Sequence, residues 1–177
     1  MKSILKIALL LLFAGNAMAQ EIGPGATASG DNAVAVGEQA NASGNQAVAI
    51  GPWASALRQG ATATGFYSRA TGIRATATGS QSMASGDQST ATGSAATATG
   101  TGSTANGFNA AATGEASTAV GGMSRAAATD TTATGFDSEA NAAGDTVTGR
   151  SAKGADFGST RGENTANGHN AVANGGE

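Results

Sequence analysis

From Gly30 to Gly149 every seventh residue is a glycine or its stand-in: of the eighteen positions in that register fifteen are Gly, the exceptions being Arg58, Ala128 and Ala142. Two residues earlier, every position from Ala28 to Ala140 is Ala. Four residues before each Gly the residue is small, as at Ala33, Ala40, Ala47, Ser68, Ser82 and Ser89. The unit is small-x-Ala-x-Gly followed by two variable residues. A strict internal period restricts the architecture to a repeat fold before any other feature is considered.

A period of seven suggests a coiled coil, but that needs large apolar residues at two heptad positions. Ala and Gly cannot supply them, and one Gly per heptad costs a helix interior about 1 kcal/mol each time. Within the unit the informative period is two, with small residues alternating with Thr or Val, which is the alternation of a strand. Gly then permits the turn. Five residues of strand and two of turn, taken twice, predict a 14-residue coil. The expected class is all-β: a parallel β-solenoid whose interior admits only Ala, Ser and Gly.

Sorting the chain by 14 separates two outer faces. One carries Val34/Val36, Val48/Ile50, Thr62/Thr64, Thr76/Thr78, Thr90/Thr92, Thr104/Asn106, Thr118/Val120, Thr132/Thr134 and Thr146/Thr148, and is regular and uncharged. The other is mixed, with Ser55/Leu57, Arg69/Thr71, Met83/Ser85, Thr97/Thr99, Arg125/Ala127 and Glu139/Asn141. The first is expected to be reserved for a contact; the second reads as an ordinary solvated surface. The turns after the regular face hold Trp53, Phe66, Tyr67, Phe108 and Phe136, an aromatic edge, whereas Asp31, Asn45, Gln59, Asp87, Glu115 and Asp130 line the other edge. These aromatics either pack against a neighbouring copy or fill dents at the corner of the roll.

Lys2 and Lys6, the apolar run Ile7 to Phe13 and the small-residue site Ala17-Met18-Ala19 form a secretory signal pattern, with cleavage expected after Ala19. That apolar run is too short to span a bilayer, so no integral membrane segment is expected in the mature chain. The expected divisions are 1–19 signal peptide, 20–149 repeats, 150–163 an irregular loop or distorted coil, and 164–177 resumed repeat. Of these, only Glu21 to Ser29 precede the first phased Gly as an N-terminal cap. With no cysteine, disulfides and thiolate metal sites are excluded, and export from a bacterium, to the outer surface, the medium or the periplasm, is the expected location.

Removing the two signal lysines leaves seven basic residues against twelve acids, a net charge of −5. Nucleic acid, which needs a basic stripe, is not an expected partner. An enzyme is not expected either. His169 is the one histidine and sits in a turn of the resumed repeat, and a zinc set needs more. No acid/base pair of carboxylates is evident. The run "GTGSTANG" at Gly100 owes its glycines to the repeat and lacks a βαβ context. No calcium-repeat pattern occurs, and no cofactor is expected. The Asn41-Ala42-Ser43 sequon matters only in eukaryotic secretion.

The stretch "DNAVAVGEQANASGNQAVAIG", Asp31 to Gly51, resembles the head repeat of YadA-type trimeric autotransporter adhesins, in which SVAIG-like and SxAxG-like strands alternate. The resemblance covers about Gly23 to Gly149 and again Asn164 to Gly175. It implies a left-handed parallel β-roll, a homotrimer, and binding to an extracellular host or matrix surface. It also implies that Val34, Val36, Val48 and Ile50 face the trimer axis. Later coils put Thr62, Thr64, Thr76, Thr78, Thr90, Thr92, Thr104, Thr118, Thr132 and Thr134 there instead, so the expected seam is only partly apolar. The neck, coiled-coil stalk and membrane barrel that follow such heads are not seen before Glu177, so a head-only exported protein, a truncated product or a borrowed fold is expected.

Two other functions stay open on the residues themselves. Thr pairs two residues apart lie ~7 Å apart along a strand, with rungs ~4.8 Å apart, and Thr is stiff at χ1. The resulting lattice resembles the Thr-x-Thr arrays of solenoid antifreeze proteins, making ice the alternative partner, although Thr also simply suits strands. Exposed end strands, finally, invite end-to-end assembly.

Overall fold

Residues 19–154 and 164–173 are described in the structure, a computed structural model. The signal segment before Ala19 and most of the irregular segment lie outside the described residues.

The chain winds between two parallel sheets, adding one strand to each per coil. The regular face is an eleven-stranded sheet running from Gln20–Ile22 to Thr165–Asn167, and the mixed face a nine-stranded sheet from Thr27–Ala28 to Glu139–Ala140. Register is fixed at 14: Thr62 pairs with Thr76 and Thr76 with Thr90, while Arg69 pairs with Met83 and Met83 with Thr97. The roll is therefore the 14-residue parallel β-solenoid that the periodicity predicts.

Strands are shorter than the predicted five residues: three on the regular face and two on the mixed face. The first small residue of each unit belongs to the turn instead. The N–H of Ala61 donates to Arg58 O, and that of Ser68 to Gly65 O, each closing a four-residue turn. At most of the positions where this residue is Ser its hydroxyl donates to the same carbonyl: Ser68 to Gly65, Ser82 to Gly79, Ser89 to Gly86, Ser117 to Gly114, at 2.6–3.0 Å; the Ser103 hydroxyl is the exception and has no partner among the described residues. A buried hydroxyl without a partner is costly; this local acceptor makes Ser as acceptable as Ala.

The interior consists of methyl groups. Ala63, Ala77, Ala91 and Ala105 from one sheet meet Ala56, Ala70, Ala84 and Ala98 from the other, all fully buried. With so little apolar area per residue, cohesion depends heavily on the hydrogen-bond ladder, which continues through the turns. Tyr67 N donates to Pro52 O, Gln81 N to Phe66 O, and Arg74 N to Gln59 O.

The heptad glycines divide into two classes that the sequence does not distinguish. Those ending the regular strands, Gly37 to Gly149, have φ between +122° and +141°, a region open in practice to glycine alone. Those ending the mixed strands, such as Gly44 and Gly86, do not have positive φ; what excludes a side chain is that a Cβ would run into the carbonyl of the next coil. All three exceptions to the glycine register, Arg58, Ala128 and Ala142, fall in this second class. A steric conflict can be relieved by a small local shift, but a forbidden φ cannot.

Two residues after each register position the backbone is left-handed, and sixteen described residues other than Gly adopt it at φ of +52° to +62°. They include Ala95, Ala116, Trp53 and Tyr67. Such residues cost energy and persist where surroundings over-determine them; here the inter-coil bond donated by the N–H of fifteen of them, from Gln39 to Asn170, does so.

Both ends of the described roll have identifiable anchors. At the first coil Glu21 occupies the interior register, opposite Ala35, and its Oε1 accepts a 2.9 Å bond from Ala28 N, an otherwise open edge donor. Toward the other end Asp145 is fully buried where the preceding coil has Thr131 and earlier ones have Ser or Ala. It accepts from Ala142 N at 3.1 Å, Asn164 N at 3.2 Å and Asn164 Nδ2 at 2.9 Å. Thr146 pairs with Thr165, a step of 19 rather than 14, so the final coil carries a five-residue insertion and Asp145 binds its returning strand.

Candidate functional site

The surfaces with functional potential follow from the two sheets and the edge between them. On the regular sheet the outward residues form two columns, one at Val34, Val48, Thr62, Thr76, Thr90, Thr104, Thr118 and Thr132, and one at Val36, Ile50, Thr64, Thr78, Thr92, Asn106, Val120 and Thr134. Ile50 and Thr78 are exposed and the Val and Thr residues of the other rungs half-buried. Ten steps at ~4.8 Å make the sheet ~48 Å long. From Val34 to Thr148 its outward positions carry no charge. The apolar end is extended by Ile22, which pairs with Val36; Ile22 is outside the expected set because Gln20–Ile22 has no repeat pattern.

The mixed sheet differs at each rung. The column Ser55, Arg69, Met83, Thr97, Ala111, Arg125, Glu139 alternates size and charge, and Lys153 extends it with a 3.5 Å ion pair to Glu139.

The edge joining the regular strands to the mixed ones carries the predicted aromatics in two groups. Trp53 and Tyr67, one coil apart, stack with ring centroids 5.6 Å apart and planes 5° from parallel, and Phe66 meets Tyr67 edge-on at 4.5 Å. Three coils further on, Phe108 and Phe136 flank Gly122, where a Cβ would lie 3.3 Å from the Phe136 ring. Arg150 sits 5.8 Å from that ring's centroid. All five aromatics remain exposed, Phe108 the most at 64%. Rings of this size beside a methyl-wide core have nowhere to bury, and so the fold presents them outward.

Among the described residues no group of three or more metal-ligating side chains comes together, and no helix is long and apolar enough to cross a membrane. His169 lies in the turn after Thr165–Asn167.

Comparison with known families matches the YadA head domain repeat (2 copies) to residues 22–40, 28–52, 42–68, 59–82, 70–96, 84–110 and 112–138. The chain belongs to the YadA head repeat family. Among solved structures, the collagen-binding domain of the Yersinia adhesin YadA is similar, at 27% identity and a TM-score of 0.53, covering 92% of this chain and 83% of that one. No curated protein matches the sequence. The YadA-type repeat thus accounts for the 14-residue coil and for the paired strand types read from Asp31 to Gly51.

Proposed function

We propose that this chain is an exported, surface-located adhesin-like head that assembles as a homotrimer through its regular face and holds extracellular matrix through the outward mixed face. The observation carrying the reading is the difference between the two sheets on a YadA-type roll: one is uncharged along its length, the other varies at each rung. Side-by-side packing of the uncharged face removes Val34, Val36, Val48, Ile50 and Ile22 from water, worth roughly 25 cal/mol per Å² of apolar area, and desolvates no ion. The Thr columns add methyl contacts and hydroxyls that bond across the seam. Three copies present three mixed faces, and multivalent attachment raises avidity without any new contact. The relative with a collagen-binding domain makes fibrillar matrix protein the first ligand to test.

The test is retention of residues 20–177 on a collagen film, compared with an Ile50→Arg variant, which places a charge in the seam. Wild type is expected to bind at least tenfold more tightly than the variant, whose mass falls to that of a monomer. Absence of binding by the wild type overturns the adhesive reading.

A further inference from the structure

Between Glu38 and Asp87 the chain has no acidic residue and three arginines, Arg58, Arg69 and Arg74, within a molecule that is otherwise acidic. The same coils carry the Trp53–Tyr67 stack and Phe66. Beside them is a groove of about 480 Å³ lined by Phe66, Tyr67, Arg69, Gln81, Met83 and Thr97. Its origin is a step in side-chain size. The edge positions filled by Phe66 and Tyr67 pass to Ser80 and Gln81 in the next coil and to Ser94 and Ala95 in the one after. The aromatic pair therefore forms a wall above a shallow floor, with Met83 on the mixed sheet closing the side. Arg69 is exposed and, among the described residues, makes no ion pair. The nearest acid along this edge is Glu38, two coils from Phe66.

We infer that this groove binds a linear polysaccharide bearing carboxylate or sulfate groups, resting on the reading of the roll as a surface-binding head. A pyranose ring presents a flat face of C–H groups that packs on an exposed aromatic, and Phe66 and Tyr67 supply that surface at the wall. The guanidinium of Arg69 is a planar fork suited to bidentate bonds with carboxylate or sulfate oxygens. Gln81 offers both a donor and an acceptor to ring hydroxyls. Pockets of this kind combine an apolar lining with a few oriented polar groups. Arg58, on the opposite edge of the same coils, adds an attractive field at low salt, whereas Arg74 is offset by the Asp87 carboxylate, which accepts from Ile73 N at 2.8 Å. Two features favour an anionic glycan over an acidic polypeptide. The groove offers one cation beside extended ring surface, and the roll repeats at ~4.8 Å, close to the length of one sugar unit.

The test uses residues 20–177 and three soluble probes: a chondroitin sulfate hexasaccharide, cellohexaose as rings without charge, and polyaspartate as charge without rings. Two variants take their residue from a neighbouring coil of the same column, Tyr67→Gln after Gln81 and Arg69→Thr after Thr97. Each replacement already occupies that backbone conformation, so folding is kept. Calorimetry is expected to show binding of the hexasaccharide, weakened at least tenfold by either variant and by raising salt from 50 to 300 mM, with both other probes at least tenfold weaker. No hexasaccharide binding, unchanged affinity in both variants, or equal binding of polyaspartate would overturn the inference. Collagen-film retention measured on the same samples separates the two readings: retention without hexasaccharide binding removes only the glycan site.

Discussion

Gly93→Ala and Gly102→Ala are chemically identical substitutions nine residues apart, and the structure assigns them very different costs. Gly93 ends a regular strand at φ +129°, and an added Cβ would fall 2.7 Å from the carbonyl carbon of Gly107 and closer still to its oxygen. Gly102 sits two residues after a register position at φ +66°, with nothing within 4 Å of the added carbon. For Gly93 the backbone conformation alone costs about 1–3 kcal/mol, and overpacking against the next coil adds about 1–3 kcal/mol, giving roughly 2–6 kcal/mol. For Gly102 only the left-handed conformation must be imposed on Ala, as it already is at Ala116, φ +52°; that costs about 1 kcal/mol. At 2–4 °C per kcal/mol for a chain of this size, Gly93→Ala should lower the melting temperature by about 10 °C and Gly102→Ala by about 3 °C, followed by circular dichroism in the β-sheet band. Equal shifts for the two variants would refute the assignment of both a backbone and a packing cost to the glycine that ends a regular strand and of a backbone cost alone to the turn glycine.

The converse change, Ala95→Gly, relieves a left-handed Ala at φ +56° and should raise the melting temperature by about 2–4 °C, corresponding to about 1 kcal/mol; a fall would show that the turn ladder leaves no strain there. Asp145→Ala removes the acceptor for Ala142 N and both Asn164 donors. It should cost about 2–4 kcal/mol, with amide exchange at Thr165–Asn167 accelerating before that of the central coils; uniform exchange would contradict the anchoring role. Glu21→Ala uncaps Ala28 N and exposes the first strand edge, so concentration-dependent lengthening by end-to-end association is expected in sedimentation velocity. Ala91→Leu, in a fully buried methyl layer, should abolish cooperative melting, because the two sheets cannot separate at one coil without breaking the ladder above and below.

The coil length, the two sheets and the Ala interior were legible because one short unit recurs with little variation, and each recurrence repeats the same physical constraint. The two glycine roles were not. Both classes read as Gly, and only the backbone angles distinguish Gly93 from Gly86; in hindsight the register of Arg58, Ala128 and Ala142, all 14-fold related, was the available signal. The left-handed positions were also hidden, since Trp53, Gln81 and Ala95 share no side-chain property; the ladder bond selects the conformation. Asp145 fell inside the predicted repeats 20–149, and nothing local marks a carboxylate in a column of Ala, Ser and Thr as an anchor. Its partner Asn164 lies 19 residues on, beyond any local pattern. The aromatic edge was visible by spacing, but the groove beside Arg69 depends on the sizes of residues in three successive coils and on which side the edge meets the mixed sheet.

The assignment of the regular face as a seam between copies is most directly tested by the solution mass of residues 20–177, from light scattering on a sizing column at several concentrations. A single species at three times the chain mass, reduced to one by Ile50→Arg, is the expected result. A monomer at all concentrations would leave the Val, Ile and Thr columns in water and contradict that assignment.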